Sequence, residues 1–406
     1  MSGIIAFATQ RFKKELFHFI ALPFTTRLLV VSFSLRNIAY PLIGMFTSAF
    51  IWKLSNDVTF LILYYIGNFA VLPIMFLFNA KLLRFIRLPT LYSIGTVLTG
   101  ISALMVVFYR VKSPEAYFLY GVLYGIGNGI YWANRNFLTL KHTASAVRSY
   151  VTGLLFTQGT LASIAVPAVA GWLIVLSKSG YEILVVAAFL ILVAAGLLVQ
   201  FASFDTPVLR ADRPQPYSPQ WKRTRLYSVA IGAVDVPLYI LPTVLVLLAI
   251  GNEAVLGTVT SVMAIVTAGV TYLFGRKQQT QHFFPSFVAC IALFMLAGSS
   301  FFWGISMGTV LWYTVVTNIA DNLIWTTLMP VLMDGQDEET QRSGHTHYDL
   351  IVDTEWRVNL GRVAVLGLFW VVVFFGGTWA LRSITILSGI TALLAVALAR
   401  AASKNG

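Results

Sequence analysis

Residues Gly127–Asn136 read GNGIYWANRN and sit inside an otherwise apolar run. Three asparagines, an arginine and a tryptophan need an explanation there, because hydrocarbon penalises every polar group that lacks a partner. Positions three or four apart share a helix face, so Tyr124, Asn128, Trp132 and Arg135 make one stripe. Gly121, Gly125 and Gly129 make a neighbouring stripe along which a second helix can approach closely. The segment therefore reads as a membrane helix with one face packed and the adjacent face lining a wet cavity.

The whole chain supports that solvent. Of its 406 residues 58% are hydrophobic and 11% charged, where a water-soluble domain carries about a quarter charged. Apolar runs of about 20 residues, enough to cross a hydrocarbon core, recur twelve times. The first lies near 27–52, the tenth near 308–333, the eleventh near 358–377 and the last near 381–400. The expected fold class is an all-α membrane protein, with about twelve transmembrane helices in two pseudo-symmetric six-helix bundles.

Composition also sets the domain plan. Segment 1–26 reads as an amphipathic surface helix, because Arg11, Lys13 and Lys14 follow the first apolar residues instead of preceding them as in a signal peptide. Residues 27–202 form the first bundle and 226–400 the second, with a short tail at 401–406. Between the bundles, 203–225 contains Pro207, Pro214, Pro216 and Pro219 and reads as a cytoplasmic linker. Residues 334–355, with Asp334, Asp337, Glu338 and Glu339, read as an acidic cytoplasmic loop. Basic residues gather on one side of the spans, which places both termini in the cytoplasm of a plasma or inner membrane. The net charge of +12 thus reflects topology and not nucleic-acid binding. The lone cysteine, Cys290, reads as a packing residue.

Two equal halves invite a search for a repeat. Arg36 and Tyr40 stand four apart on the first span, as Asp235 and Tyr239 do on the seventh. Asn128 and Trp132 on the fourth span match Asp321 and Trp325 on the tenth. A buried charge in a membrane is expected to face protein or water. Arg36 and Asp235 lie at matching depth in repeat-related spans, and the expectation is an ion pair between the bundles. Asp321 sits at the midplane with no basic residue at helical-neighbour spacing, a setting suited to a carboxyl that takes up and releases a proton. Asp321 and Asp235 are the proton-coupling candidates. Arg36, Tyr40, Tyr124, Asn128, Trp132, Arg135, Tyr239 and Trp325 are the candidates for a substrate cavity, the aromatics offering flat surface and the arginines attraction for an anionic group.

Other chemistry is scarce. No GxxxxGK[ST], no HExxH and no nucleophile with its base is present, so neither enzyme activity nor a cofactor is expected. His345, His347 and Asp349 read as loop residues and not as a metal site.

Twelve spans in two halves, a basic central linker and polar residues on the first, fourth, seventh and tenth spans resemble the major facilitator superfamily. The segment NAKLLRFIRLPTL is similar to its motif between the second and third spans. It keeps Arg84, Arg87 and Leu91 but has Asn79, Leu83 and Ile86 where Gly, Asp and Gly would stand. The missing aspartate puts the family's cytoplasmic charge latch in doubt. Gly159, Ser163, Pro167 and Gly171 resemble the glycine–proline pattern of the family's antiporters, with Val166 departing from it, which favours export over uptake by a small margin.

The resemblance implies a monomeric secondary transporter that exposes a central site to each side in turn, moving a small organic molecule with protons through membrane lipid. Two alternatives stand beside it. One is an uncoupled facilitator or lipid-moving protein; the other is a non-transporting scaffold or assembly factor that uses 334–355 for docking.

Overall fold

The computed structural model describes residues 17–142, 145–204, 216–275, 283–377 and 379–404. Most of the surface helix expected within 1–26 and residues 205–215 of the linker 203–225 therefore lie outside the described residues. The first six long helices are α1 (Phe24–Ser55), α2 (Val58–Leu82), α3 (Leu88–Tyr109), α4 (Pro114–His142), α5 (Ser145–Leu176) and α6 (Gly180–Gln200). The second six are α7 (Pro219–Ile250), α8 (Glu253–Gly275), α9 (Phe283–Ser299, continued by a 3-10 turn to Trp303), α10 (Met307–Ser343), α11 (His347–Gly376) and α12 (Trp379–Lys404). Eleven of these are long and apolar enough to cross a membrane. The twelfth, α4, is the helix that carries GNGIYWANRN. With twelve helices alternating in direction, the start of α1 and the end of α12 lie at one end of the molecule, called here the terminal end.

The duplication inferred from sequence is visible in the packing. In the first bundle α4 packs on α2 and α3, α6 on α1 and α3, and α5 on α1. Six helices later the same neighbours recur: α10 on α8 and α9, α12 on α7 and α9, and α11 on α7. The two largest seams between the bundles are α2 with α11 and α5 with α8, each the repeat equivalent of the other, and α1 and α2 also touch α7.

The glycine stripe of α4 does what its spacing predicts. A Cβ at Gly121, Gly125 or Gly129 would stand 1.9, 2.5 or 2.6 Å from a backbone oxygen of α2, those of Tyr64, Asn68 and Leu72. Two backbones in contact leave no room for side chains, so the polar neighbours of those glycines are turned toward α1 and α3. Asn134 secures the terminal end of the same pair, its side chain donating to Asn79 Oδ1 at 2.7 Å.

Residues 334–355 are not a loop. Helix α10 continues to Ser343, and only residues 344–346 separate it from α11. Thr346 opens α11 with a capping box, its hydroxyl accepting from the Asp349 backbone while Asp349 accepts from Thr346 N. The acidic side chains are engaged at home. Glu339 accepts from the backbone and hydroxyl of Ser218. Asp353 accepts from Arg225 at 2.6 and 2.8 Å and from the Trp221 indole at 2.9 Å. His347 pairs with Asp337 at 2.8 Å, and the His345 ring stacks on Tyr217 at 4.2 Å. Hydropathy misses this region because a helix that leaves the membrane stops being apolar without stopping being a helix.

Candidate functional site

The sequence candidates converge where the bundles meet, and they do so in two unequal halves. On the first bundle, Arg36 is 2% exposed in mid-α1. Its Nη2 donates to Asn128 Oδ1 of α4 at 2.8 Å. The guanidinium lies 4.0 Å from the Tyr131 ring centroid and 5.5 Å from that of Tyr40. Tyr124 is within hydrogen-bonding range of Asn128. Further toward the terminal end, Arg135 stands 4.7 Å from the Trp132 ring and 5.3 Å from Phe33.

On the second bundle the repeat-related positions again face each other across α7 and α10. Asp321 lies close enough to Asp235 for the two carboxyls to influence each other, and Trp325, one turn beyond Asp321, is also near Asp235. The countercharge comes from α11. Arg362 donates to Asp235 Oδ2 from Nη2 at 2.6 Å and from Nε at 3.2 Å. Arg362 also reaches Asn359 Oδ1 at 3.3 Å, and Glu355 is close enough to interact with it.

This arrangement corrects the expected Arg36–Asp235 ion pair. Arg36 bonds to Asn128 within its own bundle, and Asp235 is held by Arg362 within the other. The physical reason lies in the repeat itself. Matching positions of two duplicated bundles occupy equivalent places in each, and equivalent places need not touch.

The two arginines differ in how their burial is compensated. An ion taken from water into a protein interior loses several kcal/mol even after relaxation. Arg362 recovers that loss from a carboxylate bonded by two nitrogens. Arg36 has a hydrogen bond to a neutral amide, about 1.5–3 kcal/mol with one charged partner, and a cation–π contact of about 2 kcal/mol. Its compensation is partial.

Aromatic side chains join the halves. Phe69 of α2 lies 4.8 Å under the Arg362 guanidinium. The ring of Tyr239 meets Tyr65 at 5.6 Å and Phe69 at 5.2 Å, so a second-bundle tyrosine packs into the first. Tyr40 interacts with Tyr64, Tyr65, Tyr124 and Tyr239 yet remains 41% exposed, which marks the accessible side of the cluster. Asp321, Trp132, Arg135 and Trp325 are half-buried.

Both ends of the site are bridged between bundles. At the terminal end the Tyr348 hydroxyl of α11 donates to the Phe76 carbonyl of α2 at 2.8 Å, beside Asn79. Asn79 replaces the first glycine of the degenerate motif, and a neutral contact stands where the family's charge latch was in doubt. At the opposite end Lys53 Nζ and the Tyr181 hydroxyl both donate to Glu253 Oε1, at 2.6 and 2.9 Å. There α5 and α8 touch backbone to backbone: a Cβ on Gly171 would lie 2.3 Å from Glu253 O, and one on Gly257 2.1 Å from Pro167 O.

Arg362 is the functional residue that sequence reasoning missed. With the eleventh span started at 358 it looked like an edge residue, whereas α11 starts at His347 and places it fifteen residues in. The capping pair Thr346 and Asp349 was the signal for the earlier start. Among the described residues no group of three or more His, Cys, Asp or Glu side chains is arranged to hold a metal ion.

The sequence profile of the Major Facilitator Superfamily matches residues 23–345. The uncharacterized protein YqgE of Bacillus subtilis (strain 168) is 24% identical over 152 residues, 37% of this chain. That match spans 35% of the relative's own length, about a third of it. Among solved structures, an inward-facing, unoccupied bacterial homolog of the human lysosomal transporter Spinster superposes with a TM-score of 0.66 at 13% identity, covering 94% of this chain and 97% of that one. A D-xylose–proton symporter gives a TM-score of 0.67 at 12% identity, covering 90% and 96%. At such identities the likeness is one of fold.

Proposed function

The chain belongs to the Major Facilitator Superfamily, and from that premise we propose that it is a secondary active transporter moving a small organic molecule by alternating access, coupled to protons. The observation that carries the coupling is the Asp235–Asp321–Arg362 cluster. Asp235 is bonded to Arg362 and Asp321 lies close to both, at the face of the second bundle that meets Phe69 of the first.

The coupling follows from charge. With a proton on Asp321, Arg362 is balanced by Asp235, with Glu355 beside it. When that proton leaves, two carboxylates compete for one cation, and the pull on Arg362 is redirected. Arg362 rides on α11, whose residue Tyr348 lies fourteen positions earlier and bridges to Phe76, about 21 Å away along a rigid helix. The protonation of Asp321 therefore biases the terminal-end seam, and rocking of one bundle against the other exposes the site to each side in turn. The twin seams fit this motion, since one opens as its repeat equivalent closes. The terminal end is assigned to the cytoplasm of a plasma or inner membrane, the working unit is the monomer, and export is favoured over uptake by the glycine–proline pattern of α5.

The test is uptake into proteoliposomes of a mixed metabolite and drug library, with and without an imposed pH gradient. Asp321→Asn is expected to abolish gradient-driven uphill flux and to spare counterflow. Unchanged uphill flux in that variant removes Asp321 from the mechanism, and flux indifferent to the gradient in the wild type leaves the uncoupled facilitator. Against the scaffold alternative stands the state of 334–355, whose Glu339, Asp353, Asp349 and Asp337 are bonded within the chain.

A further inference from the structure

The first bundle holds a charge that the coupling mechanism does not use. Within its helices the only acidic residues are Asp57, Glu115 and Glu182. All three stand at the end opposite the termini: Asp57 caps α2, Glu115 lies in the first turn of α4, and Glu182 pairs with Arg110. No carboxylate of this bundle is available to Arg36 in mid-membrane. Across the interface, Asp235 is bonded to Arg362, and Asp321 and Glu355 lie near the same guanidinium.

The local geometry sharpens the point. A guanidinium offers five N–H donors, and one of those of Arg36 goes to Asn128. Among the described residues, no acceptor lies within hydrogen-bonding distance of its buried Nε or Nη1. Neutral rings surround it, Tyr131 on one face and Tyr40 beyond. Of these, Tyr40 is the one open to the outside. Arg135 stands seven residues from Asn128 on the same face of α4, so a second guanidinium lies two helical turns nearer the terminal end along the same stripe.

We propose that Arg36 is the seat of an anionic group on the transported molecule, so that the substrate class is a small organic anion, a carboxylate or phosphate on a flat body laid against Tyr40. The inference rests on the transporter reading for the word substrate, but the binding step does not require transport. Arg135 draws the anion in; Arg36 and Asn128 fix its position. The balanced cluster on the second bundle gives such an anion no comparable cation, which assigns its charge to the first bundle and leaves the second to handle the proton.

The experiment is a thermal-shift titration of the purified full-length protein in neutral detergent at fixed ionic strength. Benzoate and phenyl phosphate are the anionic probes, with benzamide and benzyl alcohol as neutral partners of similar size. A second arm compares added phosphatidylglycerol with phosphatidylcholine. The expected result is stabilisation by the anions and not by their neutral partners, weakened at least tenfold in apparent affinity by Arg36→Met and by less in Arg36→Lys. If Arg36→Met fails to fold, the Arg36→Lys titration still reads the effect, and an unshifted affinity there counts against the proposal. An Arg36-dependent response to phosphatidylglycerol alone supports the anion seat and makes the anion a lipid headgroup. Equal responses to charged and neutral probes, or an anion response that survives Arg36→Met, overturns it, as does the lack of any Arg36-dependent response to soluble anion or lipid. Failure here with gradient-driven uptake intact would leave the coupling mechanism standing, and the reverse outcome would leave the anion seat.

Discussion

Arg36 and Arg362 are both arginines buried among the helices, and they are buried on different terms. Arg362 has a carboxylate at 2.6 Å and a second one nearby, while Arg36 has an amide and two rings. The repeat explains why the difference is informative. Asn128 and Asp321 occupy matching places on α4 and α10, and so do Arg36 and Asp235 on α1 and α7; Arg36 is bonded to Asn128 in the first bundle, and Asp235 lies close to Asp321 in the second. A duplicated frame has diverged into a cationic half and a half whose charges are balanced by an arginine imported from α11.

Removing each arginine in turn separates the two kinds of burial. Arg362→Met leaves Asp235 buried without its partner and is expected to destabilise the protein by about 3–5 kcal/mol, read as a lowered unfolding temperature in detergent. Adding Asp235→Leu should recover most of that loss, because the two residues act as a unit. Arg36→Met removes a charge that is only partly compensated and should cost less than about 1 kcal/mol, or stabilise. Equal costs for the two would show that Arg36 is as architectural as Arg362.

A smaller effect comes from making the halves alike. Asn128→Asp would give Arg36 a carboxylate at the position that now donates no charge, and the gain should be about 1–2 kcal/mol. The same variant should lose its response to benzoate in the titration above, since the internal anion would compete for the same guanidinium. Retention of both the wild-type stability and the response would mean that position 128 does not face Arg36 in the working protein.

The smallest expected change lies at the seam. Tyr348→Phe deletes one hydrogen bond to the Phe76 carbonyl, worth about 0.5–1.5 kcal/mol. That is enough to shift a two-state equilibrium several-fold toward an open terminal end. A cysteine-accessibility assay on a residue placed behind Phe76 would read the shift, and unchanged accessibility would show that the contact does not hold the seam closed.

Much of the frame was legible because apolar runs of membrane length are a coarse and strong signal. The spans expected near 27–52 and 381–400 emerge as Phe24–Ser55 and Trp379–Lys404. The repeat was legible from the Arg36–Tyr40 and Asp235–Tyr239 spacings, and the packing reproduces it. What escaped were the polar continuations of α10 and α11, whose stability comes from caps and from Ser218, Trp221 and Arg225 and not from lipid. That one boundary hid Arg362, and without Arg362 the charges of Arg36 and Asp235 invited pairing with each other. Helix-face spacing finds which residues share a surface; it does not say which helix supplies the partner.

The backbone contact of α5 with α8 near Gly171 and Gly257 has a mechanical consequence. Interlocked side chains would resist turning, whereas two smooth helix surfaces can roll on one another about a fulcrum. From Pro167 to the start of α5 at Ser145 is a lever arm of about 33 Å. A roll of about 10° at that point would carry the far end through roughly 6 Å, so a nearly fixed contact on one face of the membrane would open a passage on the other.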